Sequence, residues 1–193
     1  MKTLEEAREA CKNCLKCDLS KTRTNTVFSD GVENSIVMLI GEAPGYWEDQ
    51  KGKPFVGRAG ALLDQILASG NFFRDKNIYI CNTVKCRPPE NRVPTPDEKK
   101  ACREFLDFQI ETIKPRIILL CGAVAMESML GLKSGITKVR GQWFDGPNGA
   151  KMMPIFHPSY LLRNPSKEEG SPKWLMWQDI KTIRAYYEEL INQ

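Results

Sequence analysis

One histidine and two other polar residues occupy positions in this sequence that are suited to chemistry. His157 is the only histidine in the chain, so any imidazole chemistry must use it. His157, Glu42 and Asn82 each follow an apolar run that predicts a β-strand. The carboxyl ends of parallel strands meet at one edge of a sheet, so we expect these side chains to lie together at a ligand site. A lone histidine is more often structural, and the shared position of the three residues is what favours a function.

Five of the seven cysteines have a spacing suited to a metal site. Cys11, Cys14 and Cys17 recur every three residues, and Cys86 and Cys102 lie far downstream with fifteen residues between them. Disulfides are rare in reducing compartments, whereas thiolates there bind zinc and iron-sulfur clusters. The spacing does not separate these two kinds of metal site, and buried thiols on helix faces are the alternative.

The loop after the first predicted strand has the composition of a ligand-binding turn. The run Ile36–Ile40 is followed by the pentapeptide GEAPG, residues 41–45, and later by a helical pattern at 59–67. The two glycines of the pentapeptide let the backbone approach a ligand closely. An ordinary strand-to-helix connection is the alternative, because short glycine motifs also occur by chance.

The composition predicts one globular domain spanning residues 1–193, with 41% hydrophobic residues. The sequence contains no apolar run of membrane-spanning length, and its N-terminus lacks the apolar core of a secretion signal, so we expect a cytoplasmic protein. The balance of 28 Lys and Arg against 24 Asp and Glu is mildly basic. This balance permits a nucleic-acid partner without requiring one.

The predicted elements alternate between strands and helices, which indicates an α/β fold with a mainly parallel sheet. The segment 83–94 contains three prolines and is predicted to be irregular. Strands are predicted at 36–40, 77–81 and 116–120, with a hairpin formed by 138–144 and 151–156. Helices are predicted at 4–16, from residue 59 to about 70, at 95–113, from residue 122 to 130, and at 172–190.

Five motifs, in this order, resemble the family 4 uracil-DNA glycosylases, the iron-sulfur branch of that superfamily. They are Cys14-x-x-Cys17 followed by Leu19 and Arg23, then GEAPG, GKPFVGRAG, ICNTVKCRPPENR and HPSYLLR. Any one of these motifs alone would be a weak signal, but the ordered set covers nearly the whole chain.

The resemblance implies a three-layer αβα sandwich around a four-stranded, mainly parallel sheet. It also implies a DNA repair enzyme that flips deoxyuridine out of single- or double-stranded DNA and hydrolyses its N-glycosidic bond. Free uracil and an abasic site would result, as in base excision repair. No lysine is placed by the motifs as a Schiff-base nucleophile, so a monofunctional enzyme is expected. The protein is also expected to act as a monomer.

The resemblance also assigns the residues that would hold uracil. Phe55 would stack on the flipped base, and Asn82 would pair with its imide edge. The backbone amides of Glu42 and Ala43 would contact the uracil carbonyls. Glu48 would lie against the ring carbon that carries the methyl group of thymine, so its bulk would exclude thymine.

For the reaction itself, the resemblance assigns His157 as the donor to the leaving uracil anion. In the best-known branch of the superfamily an Asp of the loop positions the attacking water, but Ala43 occupies that place in this sequence. Asn91 is then the candidate to hold the water. Glu42 is placed in the catalytic set as a structural or backbone-positioning group rather than as a base.

The DNA contacts implied by the resemblance lie in two motifs. HPSYLLR would present Leu161 as the wedge that fills the space of the extruded nucleotide, with Arg163 at a phosphate. Lys85, Arg87 and Arg92 in the proline-rich segment could follow the DNA backbone electrostatically. A solvated basic loop is the alternative for these three residues.

The resemblance implies a [4Fe-4S] cluster bound by Cys14, Cys17, Cys86 and Cys102. The cluster is expected to fasten the first helix and the proline-rich segment beside the DNA face. Cys11 departs from the four-ligand pattern, although its spacing would also allow ligation.

Three other kinds of protein compete with this interpretation. A noncatalytic iron-sulfur or zinc DNA-binding module could keep the fold without the reaction, but the intact set of Glu42, Asn82 and His157 argues against it. A relative that links covalently to DNA through a histidine is disfavoured, because no histidine lies between Asn82 and Pro94. A zinc hydrolase is disfavoured because the chain has one histidine.

Overall fold

A single mixed sheet forms the centre of the molecule. The structure is a computed structural model, and it describes residues 1–192. The strands are β1 (Asp30–Gly31), β2 (Val37–Gly41), β3 (Tyr79–Asn82), β4 (Ile117–Cys121), β5 (Phe144–Asp145) and β6 (Lys151–Ile155). Their order in the sheet is β1-β3-β2-β4-β6-β5. The four central strands are parallel, and the two short edge strands are antiparallel to their neighbours.

The four central strands are buried on both faces, which is why they appear as continuous apolar runs in the sequence. Successive side chains of a strand point to opposite faces, so Val37 and Leu39 of β2 join one core, and Met38 and Ile40 join the other. Helices cover both faces of the sheet. These two cores make the three-layer αβα sandwich that was predicted.

The helices divide between the two faces. Their bounds are α1 (Leu4–Lys12), α2 (Tyr46–Lys51), α3 (Arg58–Ser69), α4 (Pro96–Ile113), α5 (Ala123–Leu130), α6 (Ile136–Val139), α7 (Pro158–Arg163) and α8 (Pro172–Ile191). Buried side chains of α1, α4 and α5 pack on one face, and those of α3, α7 and α8 pack on the other. None of the helices within residues 1–192 is long and apolar enough to cross a membrane.

The fold class predicted from the sequence is confirmed, but the sheet has six strands rather than the expected four, because two short edge strands flank the parallel ones. Three further corrections are local. The first arm of the predicted hairpin is wrong, because residues 136–139 form α6 and only Phe144–Asp145 pair with β6. Helix α1 ends at Lys12, where the backbone N–H of Asn13 bonds back to Cys11 and Glu9. The six-residue helices α2 and α7 were not predicted, since periodicity is a weak signal over so few residues.

Candidate active site

A cavity of about 520 Å³ opens at the carboxyl edge of the parallel strands. We call it the main cavity. Its walls come from the loop after β2, the segment after β3 and the chain that follows β6. It brings together most of the residues expected from the sequence, namely Glu42, Ala43, Glu48, Phe55, Asn82, Asn91, Arg92, His157 and Arg163.

Phe55 forms one wall of the main cavity because two glycines make room for it. Its backbone has a φ of 53°, in the left-handed region that a bulky residue rarely adopts. A Cβ on Gly60 would lie 1.9 Å from the Phe55 carbonyl oxygen, and a Cβ on Gly41 would lie 2.5 Å from its ring. Neither position therefore tolerates a side chain while Phe55 keeps its place.

Arg74 and Glu48 hold the backbone around Phe55. Arg74 donates to the carbonyl oxygens of Pro54 and Phe55, each at 2.7 Å. The carboxylate of Glu48 accepts from the N–H groups of Val56 at 2.8 Å and Gly57 at 3.1 Å. These bonds offset the cost of the strained backbone at Phe55. Arg74 was not identified as a functional residue from the sequence. Its partners, Phe55 and Pro54, lie 19 and 20 positions earlier, and no sequence pattern links residues at that distance.

Asn82 ends β3 at the floor of the main cavity and is 1% exposed. Its Oδ1 is the buried side-chain atom without a hydrogen-bond partner among residues 1–192. A Cβ on Gly41 would lie 2.4 Å from this oxygen, so the glycine keeps the space beside it open. A buried acceptor without a partner is costly in a folded protein. The geometry is suited to a ligand that donates a hydrogen bond at this point.

Glu42 and Ala43 line the cavity from the loop after β2. The carbonyl oxygen of Glu42 accepts from the Thr83 hydroxyl at 2.6 Å, which ties this loop to the segment after β3. Burial raises the pKa of the Glu42 carboxyl, and the charge of Lys99 acts in the opposite direction. The side chain of Glu42 is therefore less acidic than an exposed glutamate.

His157 is held in one tautomer by the residue two positions later. Its Nδ1 accepts from the backbone N–H of Ser159 at 3.2 Å and lies 2.8 Å from the Ser159 hydroxyl. An Nδ1 that accepts leaves the proton on Nε2, and His157 lines the main cavity. Burial lowers the pKa of His157 to about 4, with the positive charge of Arg163 adding to the effect and Glu48 opposing it. The neutral imidazole is thus an N–H donor at neutral pH.

Asn91 lies at the exposed rim of the main cavity. It follows Glu90, and both residues have a φ in the left-handed region, 54° for Glu90 and 56° for Asn91. The Oδ1 of Asn91 accepts from Nε of Arg87 at 2.7 Å. The Asn91 carboxamide is therefore presented to the cavity by a tight turn and by Arg87.

A second cluster, which we call the cysteine cradle, consists of Cys11, Cys14, Cys17, Cys86 and Cys102. All five side chains line one void of about 10 Å³, together with Arg23 and Lys85. Helix α1 packs against α4 here, so segments far apart in the sequence meet at the cradle.

Two N–H groups of the chain point at sulfur atoms of the cradle. Nη1 of Arg23 lies 3.3 Å from Sγ of Cys86, and the backbone N of Lys85 lies 3.3 Å from Sγ of Cys102. Such hydrogen bonds tune thiolates that ligate iron. Burial raises the pKa of Cys102 to about 11, so this thiol stays protonated at neutral pH unless a metal ion takes the place of its proton.

The cradle is not arranged as a site for a single ion. Within the described part of the chain, no three His, Cys, Asp or Glu side chains converge in a way that could hold one metal ion. The four cysteines of a [4Fe-4S] cluster each bind a different iron atom, so they need not converge on one point. The thiol donor set with its N–H···S bonds fits a soft metal centre.

Comparison with known proteins places the chain in a family. The sequence model of the Uracil DNA glycosylase superfamily matches residues 28–181. The type-4 uracil-DNA glycosylase of Thermotoga maritima is 44% identical over 187 residues, which cover 96% of this chain and 95% of the relative. The chain belongs to the type-4 branch of that superfamily. Type-4 uracil-DNA glycosylases of Archaeoglobus fulgidus and Sulfurisphaera tokodaii are each 39% identical, over 88% and 95% of this chain and 88% and 84% of the relatives.

Two of the side chains expected to contact DNA are buried in the structure, so these two expectations are corrected. Lys85 is 0% exposed, and its Nζ donates to the Asn82 carbonyl oxygen at 2.7 Å and to Oε1 of Gln109 at 2.6 Å. Leu161 is also 0% exposed, because it packs into the core with α3 and α8. Neither side chain reaches DNA in this conformation. In the HPSYLLR turn, Leu162 is the leucine at the surface, at 38% exposure.

The three arginines expected at the DNA are at or near the surface of this type-4 glycosylase. Arg163 lines the main cavity at the end of α7. Arg92 also lines it, but it donates to both oxygens of Glu98, at 2.8 Å and 2.6 Å, which offsets its charge. Arg87 lies outside the lining and contacts it through Asn91. Arg163 and Arg87 therefore keep the positive charge that is most available to a phosphate.

Proposed function

We propose that this chain releases uracil from DNA by hydrolysing the N-glycosidic bond of a flipped deoxyuridine, in base excision repair. The observation that carries the proposal is the unpartnered, buried Oδ1 of Asn82 at the floor of the main cavity. Uracil presents a ring N–H donor beside a carbonyl acceptor. The Asn82 carboxamide answers both, since its oxygen accepts and its nitrogen donates.

The other walls of the cavity are also suited to uracil. Phe55 would offer its ring for stacking, and the backbone amides of Glu42 and Ala43, which line the cavity, would meet the uracil carbonyls. The carboxylate of Glu48 is fixed by the N–H groups of Gly45, Val56 and Gly57, so it is a rigid obstacle. A rigid wall here would exclude the methyl group of thymine.

The departure of uracil needs a donor where negative charge develops. His157 supplies one, because its Nε2 carries the proton while Nδ1 accepts from Ser159. The neutral imidazole needs no proton from solvent and does not titrate near pH 7. Electrons of the breaking glycosidic bond move onto the uracil ring, and the N–H of His157 stabilises the resulting anion.

The attacking water needs a polar partner on the opposite side of the sugar. We assign this role to Asn91, whose Oδ1 has a second lone pair beyond the one bonded to Arg87. Glu42 acts as a positioning group, because its backbone joins the two loops of the cavity through Thr83. No lysine is among the residues that line the main cavity in the described chain, and Lys85 is buried with its Nζ engaged. We therefore assign a monofunctional reaction without a Schiff base.

We further propose that Cys14, Cys17, Cys86 and Cys102 hold a [4Fe-4S] cluster. These four cysteines line one void together with two N–H···S donors, which supports the assignment. The cluster would fasten α1 and α4 to the segment after β3 and would take no part in the bond cleavage. The DNA face would include Arg163 and Arg87. A single domain, a monomeric state and a cytoplasmic location stay predictions from the sequence.

The experiment is single-turnover release of the base from matched oligonucleotides that contain uracil, cytosine or thymine. Wild-type protein is expected to release uracil alone. Asn82→Asp replaces the donor by an acceptor and should lower uracil release by on the order of a thousandfold. Weak cytosine release should appear, because the carboxylate accepts from the amino group of cytosine. Asn34→Asp, an exposed asparagine, is the matched control and should leave the rate unchanged. Near wild-type uracil release by Asn82→Asp would mean that another group reads the base.

A further inference from the structure

Two large aromatic side chains lie exposed beside the main cavity. Tyr46 and Trp47 open helix α2, directly after Gly45 of the cavity lining, and they are 47% and 57% exposed. Their rings pack edge to face, with centroids 5.1 Å apart and planes at 80°. Tyrosine and tryptophan usually bury most of their surface, so an exposed pair at the rim of a cavity suggests a ligand surface.

The outer side of α2 carries no negative charge, because both of its acids turn inward. Glu48 accepts from backbone N–H groups of the neighbouring loop. Asp49 is 1% exposed and accepts from the N–H groups of Thr24 and Asn25. The exposed residues of the helix are therefore the two aromatics, Gln50 and Lys51. This face is aromatic and positive.

Arg87 adds a second cation from the opposite loop. Its guanidinium carbon lies 5.1 Å from the centre of the Tyr46 ring, and its Nε donates to Asn91 at the cavity rim. Trp47 in turn lies against Gly57, where an added Cβ would be 3.5 Å from its Cδ1. Arg87 and Gly57 thus flank the pair on two sides and connect it to the residues that surround the cavity entrance.

We propose that Tyr46 and Trp47 form a stacking platform for an unpaired base of the DNA strand, next to the nucleotide that enters the main cavity. The inference rests on the proposed function, because a strand whose base enters the cavity must pass the rim. Aromatic side chains stack on any base, and nearby cations meet the phosphates of the same strand. Lys51 and Arg87 supply those cations.

The platform has a consequence for the choice of DNA. In a single strand the neighbouring base is free to leave its own stack and lie on the aromatic pair. In a duplex that base remains paired, and unstacking it costs additional energy. The platform therefore strengthens binding to single-stranded DNA more than to duplex DNA, and it acts on binding rather than on bond cleavage.

The test compares Trp47→Ala, Tyr46→Ala and the conservative Trp47→Phe in the full-length protein. Trp177→Ala is the matched control, since Trp177 is 45% exposed on α8 and does not line the main cavity. The measurements are Kd from fluorescence anisotropy on a uracil-containing single strand and on its duplex, and KM and kcat on both. The quenching of tryptophan fluorescence by a uracil-free single strand is a further readout.

We expect Trp47→Ala to raise Kd and KM for the single strand by about tenfold, with kcat little changed and a smaller effect on the duplex. Trp47→Phe should restore most of the affinity, and Trp177→Ala should match wild type. An equal loss of affinity for single strand and duplex, a loss confined to kcat, or unchanged Kd in both alanine variants would overturn the proposal. A protein or lipid partner for the pair would give that last result.

Different experimental results would refute the proposed function and the stacking platform. If wild-type protein released no uracil, the proposed function would be wrong, whatever the platform does. Binding of the uracil-free single strand would still test the platform in that case. If wild type released uracil normally and Trp47→Ala bound single strands as wild type does, only the platform would be wrong.

Discussion

The main cavity and the cysteine cradle lie at neighbouring positions in the fold and have opposite designs. The cavity has a volume of about 520 Å³ and keeps a buried polar atom, Oδ1 of Asn82, without a partner. The cradle encloses only about 10 Å³, and chain N–H groups already point at two of its sulfur atoms. A site that exchanges its ligand must keep some hydrogen-bonding groups without a partner when the ligand is absent. A site that fastens segments together can give all of its hydrogen-bonding groups permanent partners.

Lys85 joins the two regions. Its backbone N–H points to Cys102 of the cradle, and its Nζ donates to the carbonyl oxygen of Asn82 in the main cavity. Gln109 of α4 accepts a second bond from Nζ and donates to the Tyr79 hydroxyl at 2.9 Å. The buried ammonium group thus connects the residue that reads the base to the segment that carries the cysteines. Variants that change the main cavity, the cysteine cradle, or Lys85 between them can therefore test the comparison of the two regions.

Among the variants that test this comparison, the one with the largest expected effect on rate separates the cavity from the cradle. His157→Ala removes one preorganised donor to the leaving anion, so single-turnover uracil release should fall by about a hundredfold or more. DNA affinity and iron content should stay at wild-type values, because His157 does not touch the cradle. Rapid-quench assays with saturating protein, anisotropy and iron analysis give the three quantities. A loss of binding in proportion to rate would assign His157 to substrate affinity instead.

The cradle is tested by its iron content. Anaerobically purified wild-type protein should be brown and contain about four irons per chain. Cys86→Ser should lose most of the iron and unfold at a lower temperature, because the segments that meet at the cradle would no longer be fastened. Cys11→Ser is the matched comparison and should keep its iron, since Cys11 is outside the four-ligand set. One zinc and no iron in the wild type would refute the cluster.

Lys85→Met breaks the link between the two regions. The methionine fits the length of the buried lysine stem but leaves the oxygens of Asn82 and Gln109 without their donor. We expect the free energy of unfolding to fall by roughly 1–3 kcal/mol. Uracil release should slow by about tenfold, because Asn82 loses its support.

The control for the link is Lys133→Met, a change at an exposed lysine of the loop after α5. It should alter neither denaturant stability nor rate. If Lys85→Met instead lost only DNA affinity, with salt dependence reduced, the original prediction of a phosphate contact would be right and the buried position wrong.

The sequence predicted the strands and the long helices well because their signals are local. Thr95, Pro96 and Glu98 mark the start of α4, and the apolar runs mark strands that are buried on both faces. The gathering of Glu42, Asn82 and His157 followed from one rule, that parallel strands end at the same edge.

The predictions that failed concern solvent exposure and hydrogen bonds between distant residues. Whether Lys85 or Leu161 faces solvent depends on how its segment packs. For Lys85 this is set by partners such as Gln109 that lie far away in the sequence, and for Leu161 by the packing of α7 on the core. The same limitation hid Arg74, whose role is to bind carbonyl oxygens of the Phe55 turn. Tertiary hydrogen bonds to the backbone leave no periodic trace in the sequence.

The smallest expected effect on the rate of uracil release is that of pH, although pH also changes stability through His157. Burial holds the pKa of His157 at about 4, below the 6.5 of an exposed histidine, so the folded protein binds fewer protons here than the unfolded chain between these pH values. The unfolded chain gains that proton as pH falls, so stability from the neutral form is fully present above pH 6.5. It declines as pH falls toward 4, by up to about 1.4 kcal/mol per pH unit.

Because Nε2 keeps its proton throughout the neutral range, uracil release should change by less than about twofold between pH 6 and 8 as far as His157 is concerned. Single-turnover rates over this range, with iron content measured at each pH, separate the cavity from the cradle. An inflection near pH 6.5 that disappears in His157→Ala would contradict the neutral donor. It would mean that the imidazole acts as a cation and that the hydrogen bond from Ser159 to Nδ1 does not hold in the working enzyme.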